Sequence, residues 1–61
     1  MYFVSCEHKS GKKVLINPKD IRWIAENENN TARIEFLNGE QQEIICEDFD
    51  ELEQKFNRYL T

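Results

Sequence analysis

The chain has 61 residues, 39% of them hydrophobic and 33% charged, with a formal net charge of −4. That length gives one domain, residues 1–61, and the composition is that of a folded globular chain rather than a disordered one. No apolar run approaches the roughly 20 residues of a membrane span, and the acidic total argues against sequence-independent binding to phosphate backbones.

The start, MYFVSCEH, lacks the basic n-region of a secretory leader, so the expectation is a cytoplasmic chain whose two thiols stay reduced. Met1–His8 alternates as a strand, with Tyr2, Val4 and Cys6 on one face and Phe3, Ser5 and Glu7 on the other. HKSGK then supplies the glycine of a short hairpin loop, and Val14–Ile16 returns as a second strand. Asn17 and Pro18 end it, since proline fixes φ and has no N–H for a ladder.

Ile21–Glu26 is the third predicted strand and carries Trp23. A polar turn, NENNT, leads into Thr31–Leu37, where Ala32, Ile34 and Phe36 alternate with Arg33 and Glu35. Asn38-Gly39 predicts a type I′ turn, which needs positive φ at two successive residues, and it folds this strand onto Glu40–Cys46. The period then changes. Phe49, Leu52, Phe56 and Leu60, with Tyr59 beside them, recur at helical spacing, so a helix is predicted over residues 48–60. Asp48 is its N-cap, Glu51 completes an approximate capping box, and Glu51–Lys55 forms an i,i+4 pair.

A mostly β, α+β fold follows: an antiparallel meander of about five strands over residues 1–46, or the same sheet curled toward a small barrel, covered by the C-terminal helix. A single antiparallel meander of about five strands cannot bury a face alone, so the helix is the cover. The predicted core is Tyr2, Val4, Ile34, Phe36, Ile44 and the helical stripe, with Trp23 as a candidate member. Phe3, Leu15 and Ile45, together with Ile24, are assigned to the opposite parity. If they cluster they form an apolar patch for a protein partner or a second copy; the alternative is ordinary scattered surface residues.

No chemical motif competes with that reading. Cys6 and His8 share a strand face and Cys46 approaches them only if the first and last strands adjoin, but no paired-cysteine or paired-histidine spacing is present, so neither a metal nor another cofactor is expected. Neighbours at i,i+2 on a strand point in parallel, which is poor geometry for a nucleophile and its base. SGKK lacks the spacing of a phosphate loop, and the acids of CEDFDELE are accounted for by helix capping and the helix dipole. The expectation is therefore a protein that is not an enzyme. Charge is asymmetric, with six Lys/Arg against four Asp/Glu in residues 1–33 and two against eight in residues 34–61. Lys9, Lys12, Lys13, Lys19 and Arg22 are the one candidate nucleic-acid footprint, the alternative being a solvated rim.

INPKDIRWIAENENNTARIEFLNGEQQEIICEDFDELEQKF resembles two families of small β modules. It is similar to the LytTR-type DNA-binding domain of bacterial response regulators in Asp20-Ile21 followed by Ile24, in alternating Ile34 and Phe36, in the Gly39 turn and in FDELEQKF. SGKKVLINP is similar to the glycine turn and LNP-like segment of the short flagellar FlbD-like family. The resemblance spans roughly residues 11–58 and implies a β core ending in a helix, in a bacterial or phage setting. The LytTR-type domain continues into an Arg/His/Ser/Asn-containing segment that contacts DNA. FNRYLT offers no counterpart, so the likeness implies the architecture more than it implies DNA binding.

Overall fold

The structure, a computed structural model, describes residues 3–60 and the side chains of residues 3–58. Five antiparallel strands run in chain order as β1 (Val4–Glu7), β2 (Lys13–Ile16), β3 (Ile21–Glu26), β4 (Thr31–Phe36) and β5 (Gln41–Ile45), followed by α1 (Phe49–Leu60). They form two sheets rather than one closed surface: β1 with β2, and β3 with β4 with β5. A lone bridge, His8 with Ile44, links the pair to the three-stranded sheet. The single meander expected from the sequence is thus divided after β2, and it does not curl into a barrel.

The division falls at a short turn. Asn17 and Pro18 do more than end β2: they open a 3-10 turn at Pro18–Asp20, with the Asn17 side chain accepting from the Lys19 N–H at 3.0 Å. Pro18 is buried at its first position, where its missing N–H costs nothing. The turn carries the chain from one sheet to the other, and the Asp20 carbonyl accepts from the Leu37 N–H at 2.8 Å.

The other three connections share one construction. In each, an N–H donates to its partner strand across three loop residues: His8 to the Lys12 carbonyl, Asn27 to that of Thr31 and Phe36 to that of Glu40, at 2.7, 2.9 and 2.8 Å. The third loop residue has positive φ in each case, at Gly11 (95°), Asn30 (56°) and Gly39 (91°). The Gly39 N–H also donates to the Phe36 carbonyl at 2.9 Å, as Gly11 does to His8. This is a three-residue loop, a tight turn closed by a left-handed residue, not the type I′ turn predicted at Asn38-Gly39. Asn38 keeps negative φ, and its Oδ1 instead accepts from the Glu40 N–H at 3.0 Å.

Val4, Cys6 and Ile16 from the first sheet, Ala32, Ile34 and Ile44 from the second, and Leu52 and Phe56 from α1 form the core. Phe36 and Phe49 pack against it half-buried. Asp48 caps α1 as its spacing suggested, Oδ1 accepting from the N–H groups of Asp50 and Glu51 at 3.0 and 3.3 Å. Tyr2 and the Leu60 side chain, also expected in the core, lie outside what the structure describes.

Trp23 is a correction: it is 38% exposed. The register explains why. Ile21 pairs with Phe36 and Trp23 with Glu35, so β3 takes two steps while β4 takes one. A bulge of this kind reverses side-chain parity. Ile21 and Ile24 therefore share the inner face, and Arg22 and Trp23 are both left outside.

Candidate functional site

The residues assigned from parity to an apolar patch separate into two groups. Phe3 and Leu15 stand on the outer face of the β1–β2 hairpin, 49% and 64% exposed. Leu15 is opposite Ser5, and Phe3 immediately precedes β1 at the position that alternation places on the Ser5 side, diagonal to Leu15. Glu7 pairs with Lys13 one step nearer the loop, again on that face.

Ile45, 39% exposed, belongs to the same side of the molecule. With Ser5, Glu7 and Lys13 it lines an open cleft of about 420 Å³ where β1 and β5 diverge; Cys6, Gly11, Leu52 and Lys55 form the rest of its wall. The Lys55 ammonium donates to the Ser5 carbonyl in that cleft at 2.6 Å, satisfying a main-chain acceptor that a neighbouring strand would otherwise use.

Ile24 does not join them. The β3 bulge turns it inward, half-buried against the core, where it lines a groove of about 400 Å³ between β3 and α1 with Ile21, Trp23, Phe49 and Phe56. Sequence parity missed this groove because the bulge carries no local marker. The helical stripe, which supplies Phe49 and Phe56, was the half that could be read.

The five candidate cations do not form one patch. Lys9 pairs with Glu43 at 3.4 Å, and Arg22 with Glu35 at 3.3 Å while also donating to the Leu37 carbonyl at 3.1 Å. Lys12 and Lys13 flank the end of the first loop, and Lys19 sits in the 3-10 turn, all exposed. Glu43 is further held by the Thr31 hydroxyl at 3.0 Å; that hydrogen bond, aided by Lys9 and Arg33, keeps its carboxyl below the usual range despite some desolvation.

His8 closes the first loop. Its Nδ1 accepts from the Ser10 N–H at 3.1 Å and lies 2.8 Å from the Ser10 hydroxyl, pinning the turn at Gly11. Cys6 is buried and Cys46 half-buried, both unbridged. Burial pushes both thiols up. Lys55 opposes the shift at Cys6, with a small further rise from Cys46. At Cys46, Glu26, Asp48 and Glu51 add to the rise against a main-chain hydrogen bond from Asp48. Among the described residues, no three His, Cys, Asp or Glu side chains group as metal ligands. Also among them, no helix is long and apolar enough to cross a membrane.

No family model, curated protein or solved structure matches the chain. The functional reading rests on the surface itself.

Proposed function

We propose that this chain is a small non-enzymatic interaction module that associates with a second copy of itself through the outer face of the β1–β2 hairpin. The observation that carries the reading is the exposure of Phe3 and Leu15 on the outer face of the hairpin, with exposed Ile45 beside Ser5, Glu7 and Lys13 of that hairpin. Large apolar side chains left exposed on one side of so small a domain favour a covering partner.

Two features favour a second copy as the occupant. The β2 strand pairs only with β1, which leaves its other edge open among the described residues. The face also carries its own charge complement: Glu7 beside Lys13 is a pair that a two-fold axis sets against its mate, acid to base and base to acid. The LytTR-like and FlbD-like spacing supports a bacterial or phage regulatory setting for such a module.

Nucleic-acid binding through Lys9, Lys12, Lys13, Lys19 and Arg22 is the less favoured reading. Lys9 and Arg22 are already ion-paired, and of the remaining three Lys12 and Lys13 lie at the first loop while Lys19 lies in the 3-10 turn. Sedimentation velocity over a concentration series tests the proposal. Wild type is expected to shift from monomer to dimer, and Leu15→Glu to remain monomeric. A wild-type chain that stays monomeric throughout the series overturns it.

A further inference from the structure

Two thiols stand at matching positions on strands that almost meet. The bridge between His8 and Ile44 is antiparallel, and the Lys9 N–H donates to the Glu43 carbonyl at 3.1 Å. Two residues back from His8 is Cys6, and two residues on from Ile44 is Cys46, so the same register sets these two opposite each other.

The pattern of main-chain bonds specifies the kind of position. Along β1, His8 bonds across to Lys12, so by alternation Cys6 also directs its N–H and carbonyl toward β2. Along the other strand the Cys46 N–H donates to the Asn30 carbonyl at 2.8 Å, toward β4. Neither cysteine uses main-chain bonds toward the other's strand. Such non-hydrogen-bonded sites bring Cα atoms to about 4.5 Å in a regular pair, within the range a disulfide spans. Both side chains face inward: Cys6 is in the core and Cys46 packs against it.

The β1–β5 pairing stops at the bridge, and a side chain meets the strand at this point. Continued pairing would give the Ser5 carbonyl to the Glu47 N–H, but Lys55 occupies that carbonyl instead. The structure is a partly closed zip, with the thiols at the next step.

We propose that Cys6 and Cys46 form an intramolecular disulfide on oxidation, extending the β1–β5 pairing and joining the two sheets into one in the order β2-β1-β5-β4-β3. With glutathione disulfide as oxidant, the more exposed Cys46 reacts first as its thiolate. Its Sγ attacks one glutathione sulfur, the glutathione S–S bond breaks, and one glutathione thiolate leaves. The Cys6 thiolate then attacks Cys46 Sγ and expels the second glutathione thiolate. Two protein thiols are oxidised, one glutathione disulfide is reduced to two glutathiones, and the two thiol protons pass to the departing thiolates.

The full chain, reduced and then incubated with glutathione disulfide at mildly alkaline pH, provides the test. The expected product under denaturing conditions is a single chain, lighter by two hydrogens and free of glutathione, and its Cys6 and Cys46 peptides separate only after reduction. Its Tm rises by on the order of 10 °C, since a long loop is closed without distorting the register. Cys6→Ala, checked for folding by circular dichroism, is expected to stop at a Cys46–glutathione adduct. A wild-type product that retains glutathione, links two chains, stays fully reduced or melts below the reduced form overturns the proposal.

Discussion

Replacing Gly39 by alanine isolates the cost of one backbone angle. A Cβ built at Gly39 meets nothing within 4 Å, so no clash contributes, and the penalty comes from holding alanine at φ +91°. A left-handed L-residue costs roughly 1–2 kcal/mol. Against this, alanine restricts the unfolded chain and returns about 0.4–1 kcal/mol. The net loss is about 0.5–1 kcal/mol in a domain of this size, whose whole stability is on the order of 3–9 kcal/mol. Thermal unfolding followed by circular dichroism is expected to show a Tm lower by roughly 2–8 °C. Gly39→Asn is expected to recover part of the loss, because asparagine tolerates this region and already occupies it at Asn30. Asn38→Gly separates the loop seen here from a type I′ turn. With Asn38 at negative φ and its side chain capping Glu40, glycine there loses stability; in a type I′ turn it would not. Gly39→Ala as stable as wild type, or Asn38→Gly more stable, refutes the loop geometry.

Core and surface differ in what a truncation costs. Ile34→Ala, at a fully buried site, is expected to lose about 2–5 kcal/mol in urea titration, whereas Leu15→Ala, 64% exposed, changes monomer stability by under about 0.5 kcal/mol. Because the Glu43 carboxyl is held low in the folded chain, its contribution is present at neutral pH and fades as pH falls through and below the ordinary carboxylate value of about 4.3. Acid titration of Glu43→Gln is accordingly expected to show a shallower loss than wild type. The thiols act in the opposite sense: raised in the folded state, they favour folding until pH climbs past the ordinary thiol value of about 8.5, then destabilise it progressively. A Cys46→Ser chain is expected to keep more of its stability between neutral and alkaline pH than wild type does.

Local signals carried most of the secondary structure. The Asp48 cap and the spacing of Phe49, Leu52 and Phe56 marked α1 to within a residue, since both are written in neighbouring positions. Strand β3 was legible end to end. Its inner face was not, because the bulge at Arg22–Trp23 is set by pairing with β4 and has no composition of its own. That single step moved Trp23 out of the core and Ile24 out of the apolar patch. The Asn-Gly pair announced a hairpin correctly, yet Leu37-Asn38-Gly39 adopts the longer loop, a choice between turns that both favour glycine at the same place. The break into two sheets was also beyond local pattern. Proline explains why β2 ends, but only the tertiary path through Pro18–Asp20 decides that β3 pairs with β4 alone. For the candidate surface, period-2 parity correctly put Phe3, Leu15 and Ile45 outside, because β1, β2 and β5 run without an internal bulge.

Amide chemical shifts recorded across a dilution series test the self-association most directly, since they report both its occurrence and its place. Concentration-dependent shifts are expected at Phe3, Ser5, Glu7, Lys13, Leu15 and Ile45, with the groove between β3 and α1 unmoved. Shifts centred on Ile21, Trp23 and Phe49, or spectra unchanged over the whole series, would contradict an interface on the outer face of the β1–β2 hairpin.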